Sequence, residues 1–221
     1  MTCEWRNTMN PVIKKRYDLL GPRVAEACRR RNFEAYYCAS KEEVLPLLLS
    51  LIPKDHTVSW GGSETLAELG AIEAVKANGY RVIDRAIATS PEERTELMRK
   101  ALLSDTFLLS ANAVSEEGTL VNIDGNGNRV AAMMFGPKSV IAVVGMNKVV
   151  RDTDAAIVRA RTVAAPMNTQ RFDGLNTPCK TTGSCADCKS PDCICSYVTV
   201  TRMSRPKGRI KVIFVGENLG F

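Results

Sequence analysis

The chain reads as an α/β protein, a three-layer mixed sheet flanked by helices, with a cysteine-rich loop near its carboxyl end. Three observations predict this. Helical periods alternate with short β-branched or aromatic runs from residue 10 to residue 110. A run of strands follows, in which helical periods are scarce. The 221 residues, 45% of them apolar, suffice for one large domain with a full core, spanning residues 1–221.

The elements follow in order. Asn10-Pro11, then Val12, Leu19, Leu20, Val24, Ala25 and Cys28, give a helical period that Gly21-Pro22 is expected to break or kink. Phe33 to Cys38 reads as a strand, Lys41 to Leu51 as a short apolar helix and His56 to Trp60 as the next strand. Gly61-Gly62-Ser63 turns into a helix carrying Leu66, Leu69, Ile72 and Val75. Tyr80 to Asp84 is a strand, and Ser90-Pro91 opens a helix through Leu103, with acids in its first turn. Thr106 to Ser110 and Thr119 to Asp124 are strands separated by the Ser115–Gly118 turn. Gly125-Asn-Gly-Asn128 is a hairpin signal that predicts an antiparallel return over Val130 to Phe135. Ser139 to Val144 is a buried strand, and Asp152 or Thr153 caps a helix that Pro166 ends. Tyr197 to Arg202 and Arg209 to Val215 are the last strands, so the cysteine loop before them hangs on a rigid frame.

Charge and composition narrow the function. The net charge of +6 is spread along the chain, and aromatics are few and not interleaved with basic residues. Small anionic molecules fit that pattern and nucleic acid does not. His56 is the one histidine, which excludes mechanisms built on two. Met1 to Asn7 is charged, with no apolar signal core, and no apolar run approaches the ~18 residues of a membrane helix, so a cytoplasmic protein without membrane insertion is expected.

The loop from Cys179 to Cys195 is spaced C-x5-C-x2-C-x4-C-x-C and holds five of the eight cysteines. In a compartment that keeps thiols reduced, such clustering points to a metal or iron–sulfur site; disulfide pairing, one redox-active C-x2-C pair and unliganded thiols are the alternatives. The Gly61-Gly62-Ser63 turn, with Glu64 after it, places backbone N–H groups and a hydroxyl where a phosphate or carboxylate could sit, or else is an ordinary helix cap.

Several stretches together resemble the LUD-domain family, the lactate-utilisation proteins of the LutC/YkgG type. They are Trp60-Gly-Gly-Ser-Glu-Thr-Leu66, Ala111 to Leu120 around Glu116-Glu-Gly-Thr119, Val144-Gly-Met-Asn-Lys148, Arg159-Ala-Arg161, Ala165-Pro-Met-Asn168 and Arg171. The resemblance implies an isomerase/CoA-transferase-like fold and a role in lactate-type organic-acid oxidation beside iron–sulfur partner subunits, with room for a homo-oligomer. It is similar to a short, cysteine-bearing branch whose pattern matches Cys179, Cys185, Cys188 and Cys195, with Cys193 as a spare. Zinc sites usually bring two separated C-x2-C pairs, and this loop has one, so a 4Fe–4S cluster is favoured over zinc.

By analogy with that fold, Gly61, Gly62 and Ser63 hold an anionic group and Glu117, before Gly118, is the catalytic carboxylate. Lys148, Asn168 and Arg171 are suited to positioning a carboxylate or phosphate. Arg159 and Arg161, two apart on a helix, cannot both face a site. Two other functions stay open: a non-catalytic small-molecule or regulatory module with a structural zinc, and a transferase or isomerase acting on a CoA ester or sugar phosphate.

Overall fold

The computed structural model describes residues 9–221; the charged Met1–Asn7 segment lies outside the described residues. The first helix is α1 (Pro11–Arg30). Asn10 caps it by accepting from the Val12 amide, and Arg29 and Arg30 occupy the last turn, where the helix dipole favours cations. The helix runs through Gly21-Pro22 without the break that is one of the two outcomes expected there. An interior proline costs roughly 3 kcal/mol. The helix also buries Leu20, Val24, Ala25 and Cys28, and at about 1.5–3 kcal/mol per large apolar side chain that outweighs the proline. Gly21 answers to packing, since a Cβ there would come within 2.1 Å of the Tyr37 ring.

Strands and helices then alternate: β1 (Glu34–Cys38), α2 (Val44–Ser50), β2 (Thr57–Trp60), α3 (Glu64–Glu68), α4 (Ala71–Ala77), β3 (Arg81–Ile83), α5 (Pro91–Ala101) and β4 (Thr106–Leu109). The single helix expected over Leu66 to Val75 is two, because Gly70 takes a left-handed φ of 63° and turns the chain between α3 and α4. Next come β5 (Ala113–Ser115), β6 (Leu120–Asp124), α6 (Asn128–Met134), β7 (Ser139–Gly145), β8 (Val149–Val150) and α7 (Thr153–Arg159). A π-helical turn over Ala160–Ala164 leads into α8 (Ala165–Thr169), and α9 (Pro178–Thr182), β9 (Tyr197–Thr201) and β10 (Ile210–Val215) complete the chain.

The hairpin expected at Gly125–Asn128, and the antiparallel strand after it, are in fact the start of α6. Asp124 explains the difference. Its carboxylate accepts from the amides of Gly127, Arg129 and Val130 at 3.2, 3.1 and 3.2 Å. Those are donors that a helix start otherwise leaves unpaired.

The strands divide between two sheets. Six are all parallel in the order β1-β10-β7-β4-β2-β3, and four form a mixed sheet in the order β8-β5-β6-β9. Alternate residues of the parallel sheet face opposite ways. Leu108, Ile141, Val143 and Ile213 meet α2, α3 and α4 through Val44, Leu48, Leu66 and Val75. Phe107, Val140, Ala142 and Phe214 meet α1 through Val24 and Cys28, and the inner face of the smaller sheet through Val114 and Leu120. The outer face of that sheet packs Ala113, Val121 and Ile123 on α7. No helix among the described residues is long and apolar enough to cross a membrane.

Candidate functional site

Parallel strands all end on the same side, and a cavity of about 350 Å³ opens there. Gly62, Ser63 and Glu64 reach it from the end of β2, Arg85 from β3, Ser110 to Asn112 from β4, Lys148 from β7 and Phe221 from beyond β10. The end of β6 and the start of α6 add Asp124 and Arg129; α8 adds Asn168 and the turn after it Arg171. Crevices beyond the carboxyl ends of parallel strands are where α/β sheets bind ligands.

The two glycines have a use that the sequence did not disclose. A Cβ at Gly61 would come within 2.8 Å of Arg129 Cδ, and one at Gly62 within 3.0 Å of Arg85 Nη2. Gly61 therefore makes room for the Arg129 stem and Gly62 for the Arg85 guanidinium, and the two arginines behave differently. Arg129 is fully engaged with the protein: its guanidinium donates to the Ser110 carbonyl (3.1 Å), Asn122 Oδ1 (2.5 Å), Asn112 Oδ1 (3.0 Å) and the Ile123 carbonyl (2.5 Å). The Arg85 guanidinium has no hydrogen bond or ion pair with any of the described residues, although burial, helped by the nearby Arg94 and Arg171 charges, lowers its pKa. A half-buried guanidinium with no partner among the described residues, beside two more arginines, has the chemistry to receive an anion.

Ser63 serves as the helix cap, its hydroxyl accepting from the Leu66 amide at 3.3 Å, and the Gly61 amide is taken by the Leu108 carbonyl. Arg171 lies 3.3 Å from Glu64 and donates to Asn168 Oδ1 at 3.3 Å, so these three predicted residues form one group at the cavity edge. Lys148 is buried. Its ammonium donates to Thr65 Oγ1 at 2.8 Å and Ser110 Oγ at 3.1 Å, with no carboxylate in contact among the described residues. Burial, reinforced by the Arg159 charge, pulls its pKa down to about 7.

Glu117 is not among the residues lining this cavity. It lies in the tight turn between β5 and β6, where its carbonyl accepts from Arg31 at the end of α1. Gly118, at φ 86°, packs so closely that a Cβ would meet the Cys28 amide nitrogen at 2.7 Å. That Glu-Gly turn is a packing device against α1. The arginine pair on α7 and the π-turn splits as expected: Arg159 points inward to the carbonyls of Asn112 and Asn147, and Arg161 pairs outward with Asp187 of the cysteine loop.

A second cavity, about 280 Å³, is lined by Cys179, Cys185, Cys188, Cys193 and Cys195 together. Burial would raise the Cys179 thiol, but hydrogen bonds with the Thr169 and Thr177 hydroxyls and the amides at the start of α9 outweigh it and lower the pKa. Cys195 goes the other way, pushed up to about 12 by burial and by the Cys193, Cys185 and Cys179 sulfurs around it. An all-thiol donor set on a compact loop has the chemistry of a soft-metal or iron–sulfur site. No group of three or more His, Cys, Asp or Glu side chains among the described residues is gathered tightly enough to hold a single metal ion. Mononuclear zinc needs four sulfurs at ~2.3 Å from one point, so the loop as it stands does not preform that site. Ile123 and Ile194 line both cavities, and the Ile194 backbone rests against Gly125, 3.3 Å from where a Cβ would sit.

These features define an α/β protein with a cation-rich cavity at its strand ends and a five-thiol pocket behind one wall of it. The LUD domain model matches residues 22–215, and the chain belongs to the LUD-domain family. A search of curated proteins finds no match. Among solved structures, the fold is similar to that of a DUF162 family protein from Deinococcus radiodurans, at a TM-score of 0.51 and 15% identity, over 90% of this chain and 98% of that one.

Proposed function

We propose that the protein is a redox component of lactate-type organic-acid utilisation. The strand-end cavity takes a small 2-hydroxy or 2-oxo acid, and the cysteine loop would hold a 4Fe–4S cluster, which would supply electron transfer toward partner iron–sulfur subunits. One observation carries this reading: the acid cavity and the thiol pocket share the wall made by Ile123 and Ile194. Arg85, with no partner among the described residues, receives the carboxylate, and Arg94 and Arg171 add to the field that draws it in. Cys179, Cys185, Cys188 and Cys195 would hold the cluster, with Cys193 in reserve, and hydrogen bonds lower the pKa of the Cys179 thiol. The cluster supplies one-electron transfer. Glu117, away from the cavity, has no part in this reading, which weighs against the transferase or isomerase alternative.

The test is anaerobic purification or reconstitution with iron and sulfide, read by visible absorption and by iron and zinc analysis. Brown protein with about four irons per chain is expected. Cys185→Ser or Cys188→Ser is expected to lose the iron and Cys193→Ser to keep it. A colourless protein containing stoichiometric zinc would overturn the redox reading in favour of a structural metal.

A further inference from the structure

Most buried lysines are neutralised by a carboxylate, and Lys148 has none in contact among the described residues. Its nitrogen faces the hydroxyls of Thr65 (2.8 Å) and Ser110 (3.1 Å), and it lines a cavity whose other cations are Arg85, Arg94, Arg129 and Arg171. Two ordinary roles are poorly served by this arrangement. A purely structural lysine would be paired, and a residue meant only to attract anions adds little beside Arg85, Arg94 and Arg171. A cavity that offers a guanidinium and an amine, neither with a carboxylate in contact among the described residues, suits a ligand with two functions, an anionic group for the first and an electrophilic carbon for the second.

We propose that Lys148 is a covalent catalytic residue, forming an imine with the carbonyl carbon of a 2-oxo acid that the arginines of the cavity draw in. The unprotonated amine attacks the carbonyl carbon. A C–N bond forms, and the carbonyl π pair moves to oxygen and is protonated. The resulting hydroxyl then leaves as water, while nitrogen gives up its proton and its electron pair closes the C=N bond. Amine plus carbonyl gives imine plus water, so no oxidant or reductant is consumed. The Ser110 and Thr65 hydroxyls touch the nitrogen and each other (3.3 Å), a short relay for the protons that move. A lowered amine pKa, which the burial of Lys148 provides, keeps a fraction of the nitrogen unprotonated near neutral pH.

This inference rests on the reading that the cavity takes a small organic acid, and one experiment separates the two. The whole protein is incubated with pyruvate as probe, reduced with cyanoborohydride and mapped by peptide mass spectrometry, while pyruvate binding is followed by calorimetry on the same preparation. The expected result is one reduced adduct per chain, on Lys148. The Lys148→Met protein should lack it, and Arg85→Gln should need roughly tenfold more pyruvate to reach the same labelling, the loss expected for one charge-assisted hydrogen bond. Binding without an adduct on Lys148, or labelling spread over exposed lysines such as Lys54 and Lys207, would overturn the imine and leave the acid-binding reading standing. Absence of binding would overturn both. An adduct on Lys148 in a protein that takes up no iron supports the imine and removes only the redox half of the proposed function.

Discussion

At the scale of single residues, Arg129 and Arg85 lean on consecutive glycines, yet one is committed to the protein and the other is available. Lys148 invites a similar question, and stability can answer it. In the unfolded chain its pKa is near the ordinary 10.5, and in the fold it is about 7. Between those values the unfolded state binds the extra proton, so the lysine's destabilising effect is full below pH 7 and fades as pH rises toward 10.5. Lys148→Met is expected to stabilise the protein by on the order of 1 kcal/mol near neutral pH, by more at pH 6 and by little at pH 10, as a functional residue held against stability would. Urea denaturation of both proteins across that range checks it; a variant less stable than the parent at every pH would make Lys148 a structural residue. The sequence pointed to Lys148 and Arg171 because their types suit anions. It did not point to Arg85, Ser110 or Thr65, since only the pairing of β2 with β3 and with β4 brings those loop residues together.

At the scale of elements, α6 and the β5–β6 turn show where local pattern and tertiary contact disagree. Gly125-Asn-Gly-Asn128 has hairpin chemistry, but Asp124 binds three amides of the following turn and makes it a helix. An acid just before a glycine-rich stretch was the available signal. The Glu116-Glu-Gly118 turn looked like a place for a catalytic carboxylate, and its glycine is instead required by α1. Gly118→Ala is expected to cost roughly 2–4 kcal/mol, from the left-handed φ and the clash with the Cys28 backbone together, while leaving sulfate binding at the arginine cavity unchanged in whatever protein remains folded. Thermal melting and sulfate calorimetry separate the two effects; a stable variant that loses sulfate would return Glu117's turn to the site. Most elements were legible, because alternating periods and caps such as Ser90 and Asp152 are local. The division into two sheets was not, because pairings such as β6 with β9 join residues far apart in the chain.

At the scale of the molecule, the parallel sheet gathers five loop ends into one cavity, and the smaller sheet carries the thiol pocket to its flank. The sequence announced the cysteine cluster plainly, as it sits within one loop. It could not give the distance from that loop to the Gly61-Gly62 turn. Ile194 joins the two, since it lies between Cys193 and Cys195 and seats its backbone on Gly125 of the strand-end cavity. In metal-free reduced protein, saturating sulfate is expected to slow alkylation of Cys193 and Cys195 by about fivefold or more, a typical coupling between adjacent sites. Iodoacetamide labelling timed by mass spectrometry measures it, and equal rates with and without sulfate would mean that the wall transmits nothing.

That contact also works in reverse. If occupancy on one side of Ile194 alters equilibrium binding on the other by some factor, thermodynamics requires the second ligand to alter affinity for the first by the same factor. A protein loaded at its thiols and a protein stripped of that load would then be two different receptors for the same acid. The ratio of their dissociation constants would report, without any turnover assay, how strongly chemistry at the loop is tied to recognition at the strand ends.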